Sequence, residues 1–383
     1  MEIDTSELKG KHFSCIDGCG LCCLCQPELL PPEQKVIRSD RVLAEFIVRA
    51  DDDPSKKSLK MTGNGGPCAL LRDRKCTIYG KRPHFCRQFP VHTHLMWRIQ
   101  LTADYSCRGI WSSSSNDPRT GGSDLEEYGL KELSFYSQDK LKSELAYADN
   151  VFREFREFAT ANSAWDDIHR LRHDAARLIE RGYFSSVEGL GSVLYAAGQA
   201  REAGVRLSDI LPSADSSASR QTASSAISEL SEELFSIESI ADSPVYVDSS
   251  LGWNIFTKSG GRVWRRRIQD RGGTVDVSPV DISTDNIALG DGAAEELRAY
   301  ARVSNSRDSF LGFIYYLVDD ADYDVDVNTT YMENLAMTQL DLILRSALAS
   351  PSKASRLGAG EIADGIVYID MDMHDAPTIG SVI

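Results

Sequence analysis

Nine cysteines lie between Cys15 and Cys107, and residues 108–383 contain none. That segregation constrains the fold more than any other feature, because it sets one thiol-rich stretch apart from a long cysteine-free remainder. In a reducing compartment, clustered cysteines read as metal ligands or redox groups rather than structural disulfides. The odd count also sits badly with a pure disulfide framework. Met1–Lys11 is polar, without the apolar core of a secretory signal, and no apolar run reaches the ~18 residues of a membrane span. The expectation is a cytoplasmic chain with no membrane partner. The net charge of −15 repels phosphate backbones, which disfavours nucleic acid as a partner.

The cysteine stretch opens with Cys15, Cys19, Cys22 and Cys23, spaced C-x3-C-x2-CC. Gly18 and Gly20 flank Cys19, and glycine permits the tight turns that thiolate–metal loops need. If the segment is extended, adjacent Cys22 and Cys23 point to opposite faces, which suggests two metal sites or a multinuclear one. Cys25 could share the face of Cys23, as a ligand or as a small buried hydrophobe. The spacing of Val36, Ile37, Leu43, Phe46 and Ile47 predicts a helix from Pro31 through Val48. Cys68 and Cys76 fit a hairpin turning at Arg72–Lys75. Cys86 follows Pro83, and Cys107 returns after a strand from Leu95 to Leu101. Arg82 and Arg87 are placed to offset thiolate charge. His12, His84, His92 and His94 are candidate replacements for a thiolate, with His92 and His94 on one strand face.

These spacings resemble the YkgJ family, also called the CxxCxxCC zinc- or iron-chelating domain. Cys15, Cys19, Cys22 and Cys23 match its opening. Cys68, Cys76, Ile78, Tyr79, Arg82, Pro83, Cys86, Arg87, Phe89 and Pro90 match its later run. The resemblance spans about residues 13 to 107 and implies a metal role for Cys15, Cys19, Cys22, Cys23, Cys68, Cys76, Cys86 and Cys107. Cys25 is this chain's departure from the pattern. The flagellin lysine N-methylase branch joins such a module to a longer helical part, a layout similar to this one. That branch implies a metal-dependent protein-modifying enzyme with a protein substrate and S-adenosylmethionine. Two alternatives stand beside it: a non-catalytic, zinc-stabilised interaction protein, and an electron-transfer iron–sulfur protein. Zinc and an iron–sulfur cluster both suit thiolates. The first three cysteines also share the spacing of radical S-adenosylmethionine enzymes, but no βα repeat follows them.

The remaining chain predicts an α+β protein: a small cysteine-rich metal-binding module, 1–111, on a mostly helical body with a short antiparallel sheet. Residues 112–123 read as a linker, 124–240 as helical and 241–383 as mixed. Helices are expected at 124–160, at 162–182 with Ser163 as N-cap, at 187–203 and at 226–240. Ser213–Ser225 reads as a loop. His169 and His173, with Asp166, share a helical face and make a second conceivable metal site. Strands are expected near Val245–Val247, Trp253–Thr257, Val263–Ile268 and Thr274–Val277, with a hairpin at Gly260–Gly261. Trp264–Arg267 reads as a charged edge strand or as a grip for an acidic partner or a phosphate-bearing ligand. Helices are expected at 292–303, 310–318 and 328–349. The acidic run Asp319–Asp326 reads as a solvated loop, and Ile366–Ile369 as a strand.

Overall fold

The computed structural model describes residues 2–24, 26–50, 53–62, 67–111, 122–161, 168–211, 215–236, 245–268, 274–280, 287–350 and 356–370. Cys25, Ser163, Asp166 and residues 112–121 of the expected linker lie outside them. The chain is 55% helical with small, mostly antiparallel sheets, which makes it the expected α+β protein. Among the described residues, no helix is long and apolar enough to cross a membrane.

Two hydrophobic cores organise the structure. The larger is built on the helix Val327–Ala349, which buries Leu335, Leu340, Ile343 and Leu344 completely. Asp326 caps its start by accepting a hydrogen bond from the Thr329 amide at 2.7 Å, so part of the acidic run has a structural task. The helix Val187–Ala203 packs against it, capped by Ser186 and stopped by Gly204 in the left-handed region. Its small residues permit close approach. A Cβ at Gly191 would lie 2.0 Å from the Ser219 carbonyl oxygen of the helix Ser216–Leu234.

The smaller core gathers Leu21, Cys23, Leu29, Ile37, Leu59, Cys68, Leu70, Leu71 and Ile78. It also takes Val247 and Trp253 from the four-stranded sheet. That sheet is ordered Tyr246–Val247, Trp253–Ser259, Arg262–Ile268 and Thr274–Val280, all antiparallel. Gly260 and Gly261, at φ 59° and 74°, make the expected hairpin turn.

Several expectations are corrected. The stretch after Pro31 is not one helix. Pro31–Ser39 stops at Asp40, whose carboxylate caps the short helix Arg41–Ala44, and β-branched Ile47 and Val48 enter the strand Ile47–Arg49. The predicted strand from Leu95 to Leu101 is a hairpin, Val91–Leu95 with Ile99–Ala103. Of the expected loop 213–225, residues 213–214 lie outside the described set, and Asp215 caps a helix that begins at Ser216. Burial of Ser219, Ala223 and Ile227 overrides the loop-like serine content. Ile366–Ile369 ends the helix Ala359–Ile369, since a four-residue apolar run carries no period. The Arg262–Ile268 strand is an inner strand, not an edge.

A buried charge network ties the ends of the chain together. Arg307 bonds Glu7 at 2.8 Å, Asp370 at 2.7 Å and the Ala103 carbonyl at 2.8 Å. Tyr300 donates to Asp370 at 2.8 Å, as does the Tyr105 amide at 2.6 Å. Breaking a buried pair leaves an uncompensated charge. Replacing Arg307 by Leu should therefore lower the unfolding free energy by about 3–5 kcal/mol in a urea titration. Arg302→Ala, which removes an exposed pair with Glu180, should leave the midpoint nearly unchanged.

Candidate metal centre

The loop carrying the first cysteines is bent by Gly18 and Gly20, at φ 86° and 66°. Gly20 opens a 3-10 turn, Leu21–Cys23, so the extended geometry expected for Cys22 and Cys23 does not occur. Buried Leu21 anchors this turn in the smaller core. Trp253 fixes the loop from outside, donating from Nε1 to the Cys19 carbonyl at 2.8 Å. A Cβ at Gly20 would lie 2.9 Å from the Trp253 ring, so this position demands glycine for space as well as for φ.

The Cys68 amide donates to the Cys23 carbonyl at 2.7 Å, which lashes the second cysteine run to the first. Cys76 sits on the predicted hairpin, Leu71–Arg72 with Lys75–Cys76. Asp73 and Arg74 form its turn at φ 48° and 57°. Arg74 lies 4.1 Å over the Trp253 ring and donates to the Leu251 and Ile268 carbonyls. Cys86 rides the helix His84–Gln88, and Cys107 precedes the helix Arg108–Trp111. The Ser14 amide bonds the Gly109 carbonyl and so brings Cys15 beside Cys107.

The eight described cysteines are free thiols. They gather in two adjoining groups. Cys23 is hydrogen-bonded to both Cys22 and Cys76, and Cys68 and Cys86 face the same cluster. Cys107 faces Cys19 and Cys15 in the second group. Cys22 belongs to both, since it also interacts with Cys15 and Cys19. Among the described residues, no three His, Cys, Asp or Glu side chains stand in finished metal-coordinating geometry. Cys22, Cys23 and Cys76 bond one another instead.

Electrostatics divide them. The Cys23 thiol, by hydrogen bonding, pulls Cys76 down to about 6 and Cys22 down to about 7, with Arg82 adding to both shifts. Cys23 itself is pushed up by the same bonds and by burial. Burial raises Cys86 and Cys107. Cys15 is also raised by burial, against a hydrogen bond with Tyr79. The two arginines expected near the thiols part company. Arg82 stacks 3.9 Å over Tyr79 and acts on Cys15, Cys22, Cys76 and Cys86. Arg87 instead pairs with Glu132 at 3.3 Å.

The histidines are turned elsewhere. His84 is fully buried, 3.2 Å from Glu132 and stacked on Phe135, and burial pulls it down to about 4. His92 bonds Asp104 at 2.9 Å and His94 bonds Thr102 at 3.0 Å. His12 faces Asp124 at 3.8 Å. His173 is exposed, and the side chain of His169 lies outside the description. The contacts of Trp253, Arg74 and Tyr79 with this site were missed by sequence reasoning. Tyr79 alone carried a signal, as the residue that follows Ile78 in the matched motif.

Residues 14–108 match the family model described as "CxxCxxCC: Putative zinc- or iron-chelating domain". This part of the chain is similar to CxxCxxCC domains. No curated protein and no solved structure matches the chain. The domain match ends at residue 108, and the methylase branch gains no support from it. The thiol chemistry fits a zinc- or iron-chelating role: soft donors, free, adjoining, with thiolate character at Cys22 and Cys76.

The thiolate is the reactive form. In metal-free, reduced CxxCxxCC domain within the whole chain, iodoacetamide should label Cys76 first, with a midpoint near pH about 6. Cys22 should follow near about 7, while Cys86 and Cys107 stay unmodified at neutral pH. Peptide mass mapping across a pH series measures the order.

Proposed function

We propose that this chain is a metal–thiolate protein whose CxxCxxCC domain holds zinc or iron in two neighbouring sites. One site draws on Cys23, Cys68, Cys76 and Cys86, the other on Cys15, Cys19 and Cys107, with Cys22 between them. The observation that carries this reading is the gathering of eight free cysteines from three separate stretches into adjoining groups. A folded chain has little reason to crowd eight thiols, two of them with thiolate character, unless a cation takes the place of their protons. Arg82 acts on four of them, Arg74 on Cys19 and Arg72 on Cys68, fewer positive charges than thiols.

Bound zinc would supply a cross-link between chain segments, and bound iron would add one-electron chemistry. The residues' own contribution is geometric. Gly18 and Gly20 turn the first loop, Trp253 holds it by Cys19, and the Arg72–Lys75 hairpin presents Cys76. Tyr79 and Arg82 stand at the outer side of Cys15, the one exposed cysteine of the described eight.

The test is metal and sulfide analysis with an absorption spectrum on protein purified without air. The reading expects bound metal: about two zinc ions in a colourless protein, at four thiolates per ion, or iron with sulfide in a brown one. Cys22→Ser should lower the metal content of both sites, and Cys107→Ser that of one. Protein that carries neither metal after reconstitution, or a metal content indifferent to both substitutions, would sink the proposal.

A further inference from the structure

The strand Arg262–Ile268 alternates its side chains between two faces that the fold treats differently. On one face Arg265 bonds Asp248 and Asn254, each at 2.8 Å, and Arg267 bonds Ser250 at 3.2 Å. On the other face Arg262, Trp264 and Arg266 line an open depression with Ser259 and Val277. Arg266 donates to Thr257 at 3.0 Å. Among the described residues, neither it nor Arg262 has a carboxylate partner. Val277 is 44% exposed beside them.

The chain has 57 acidic side chains against 42 basic ones, yet no described carboxylate pairs with these two neighbouring arginines. The nearby carboxylate of Asp248 serves Arg265 on the opposite face. The same open face continues, at its other end, to Trp253 and Ile268. There it is covered by the cysteine domain through Cys19 and Arg74. Among the described residues, the Arg262 end of this face stays open, while its other part already receives a protein segment.

We propose that Arg262, Trp264 and Arg266 form a docking surface for an extended acidic peptide of the pattern acidic–x–apolar–x–acidic. Alternate side chains on a strand repeat every ~6.6–6.8 Å, and so do those of an extended peptide laid over it. Each carboxylate then meets one guanidinium in a charge-assisted pair, and the apolar residue lies on the Trp264 ring. Charge complementarity selects acid. The net charge of −15 opposes a long phosphate polymer, whereas a short peptide brings few charges.

The experiment titrates the whole chain into a labelled peptide carrying glutamates two residues on either side of a phenylalanine, read by fluorescence anisotropy. Binding is expected, about tenfold weaker for Arg262→Glu/Arg266→Glu and for high salt. It should be unchanged for Arg267→Glu, on the other face. Circular dichroism and the unfolding midpoint check each variant. If the double charge reversal unfolds the chain, Trp264→Ala replaces it, with the same weakening expected. Four results overturn the proposal: no binding, equal binding of an isomeric peptide with adjacent glutamates, an equal loss in Arg267→Glu, or tighter binding of a single-stranded oligonucleotide of equal charge.

Discussion

Crowding thiolates into a partly dry interior is the constraint on which the cysteine domain depends. Each added thiolate raises the cost of ionising the next, because charges of one sign repel strongly where water is excluded. The structure answers with two devices. Cys23 remains protonated and donates to its neighbours, which lets Cys22 and Cys76 carry charge. Arg82, held over the Tyr79 ring, faces four of the sulfurs at once. Arg82, with Arg74 at Cys19 and Arg72 at Cys68, and the shared protons still leave the full set of thiols unable to ionise together. A divalent metal removes that limit, since it takes the place of the protons on the sulfurs it binds.

Backbone placement follows from the same need. The cysteines come from stretches far apart in sequence, so no local motif can bring them together. The Cys68 amide on the Cys23 carbonyl joins two of the stretches, and the Ser14 amide on the Gly109 carbonyl joins the first to the third. The sheet supplies the outer brace. Trp253 is wholly buried, and its indole N–H is spent on Cys19, while Arg74 covers its ring and bonds the strand ends. The thiol groups therefore sit on a seam between the cysteine loops and residues 245–268, not inside an isolated loop.

Much of the candidate site was legible from spacing. Cysteine positions, flanking glycines and the Arg72–Lys75 turn are local chemistry, and local chemistry is what a sequence displays. The partners of those groups were not legible. Trp253 meets Cys19 across 234 positions, and nothing near Trp253 marks it as a brace. Arg82 and Arg87 look alike in the sequence, yet only burial of Glu132 decides that Arg87 turns away. In the body, Val187–Ala203 was readable because Ser186 and Gly204 bound it with chemistry of their own. The helix from Ser216 was not, because its serines and alanines favour a helix only where Gly191 lets another helix press against them. Ile366–Ile369 was misread for a related reason: a short apolar run says that it is buried, not how.

The Arg307 network shows how the hairpin leading to Cys107 is held against the helical body. Glu7 precedes the cysteine loops, Ala103 lies in the hairpin that leads to Cys107, and Asp370 ends the last described helix. All three converge on one buried guanidinium. Apolar packing alone would let the hairpin Val91–Ala103 slide against the helices, because dispersion contacts are many but undirected. Charge-assisted hydrogen bonds have direction and are costly to leave unmade in a dry interior. Cys107 is thereby placed relative to the helical body, and through Gly109 and Ser14 so is Cys15. The geometry of the second thiol group is set by a charge cluster that contains no cysteine.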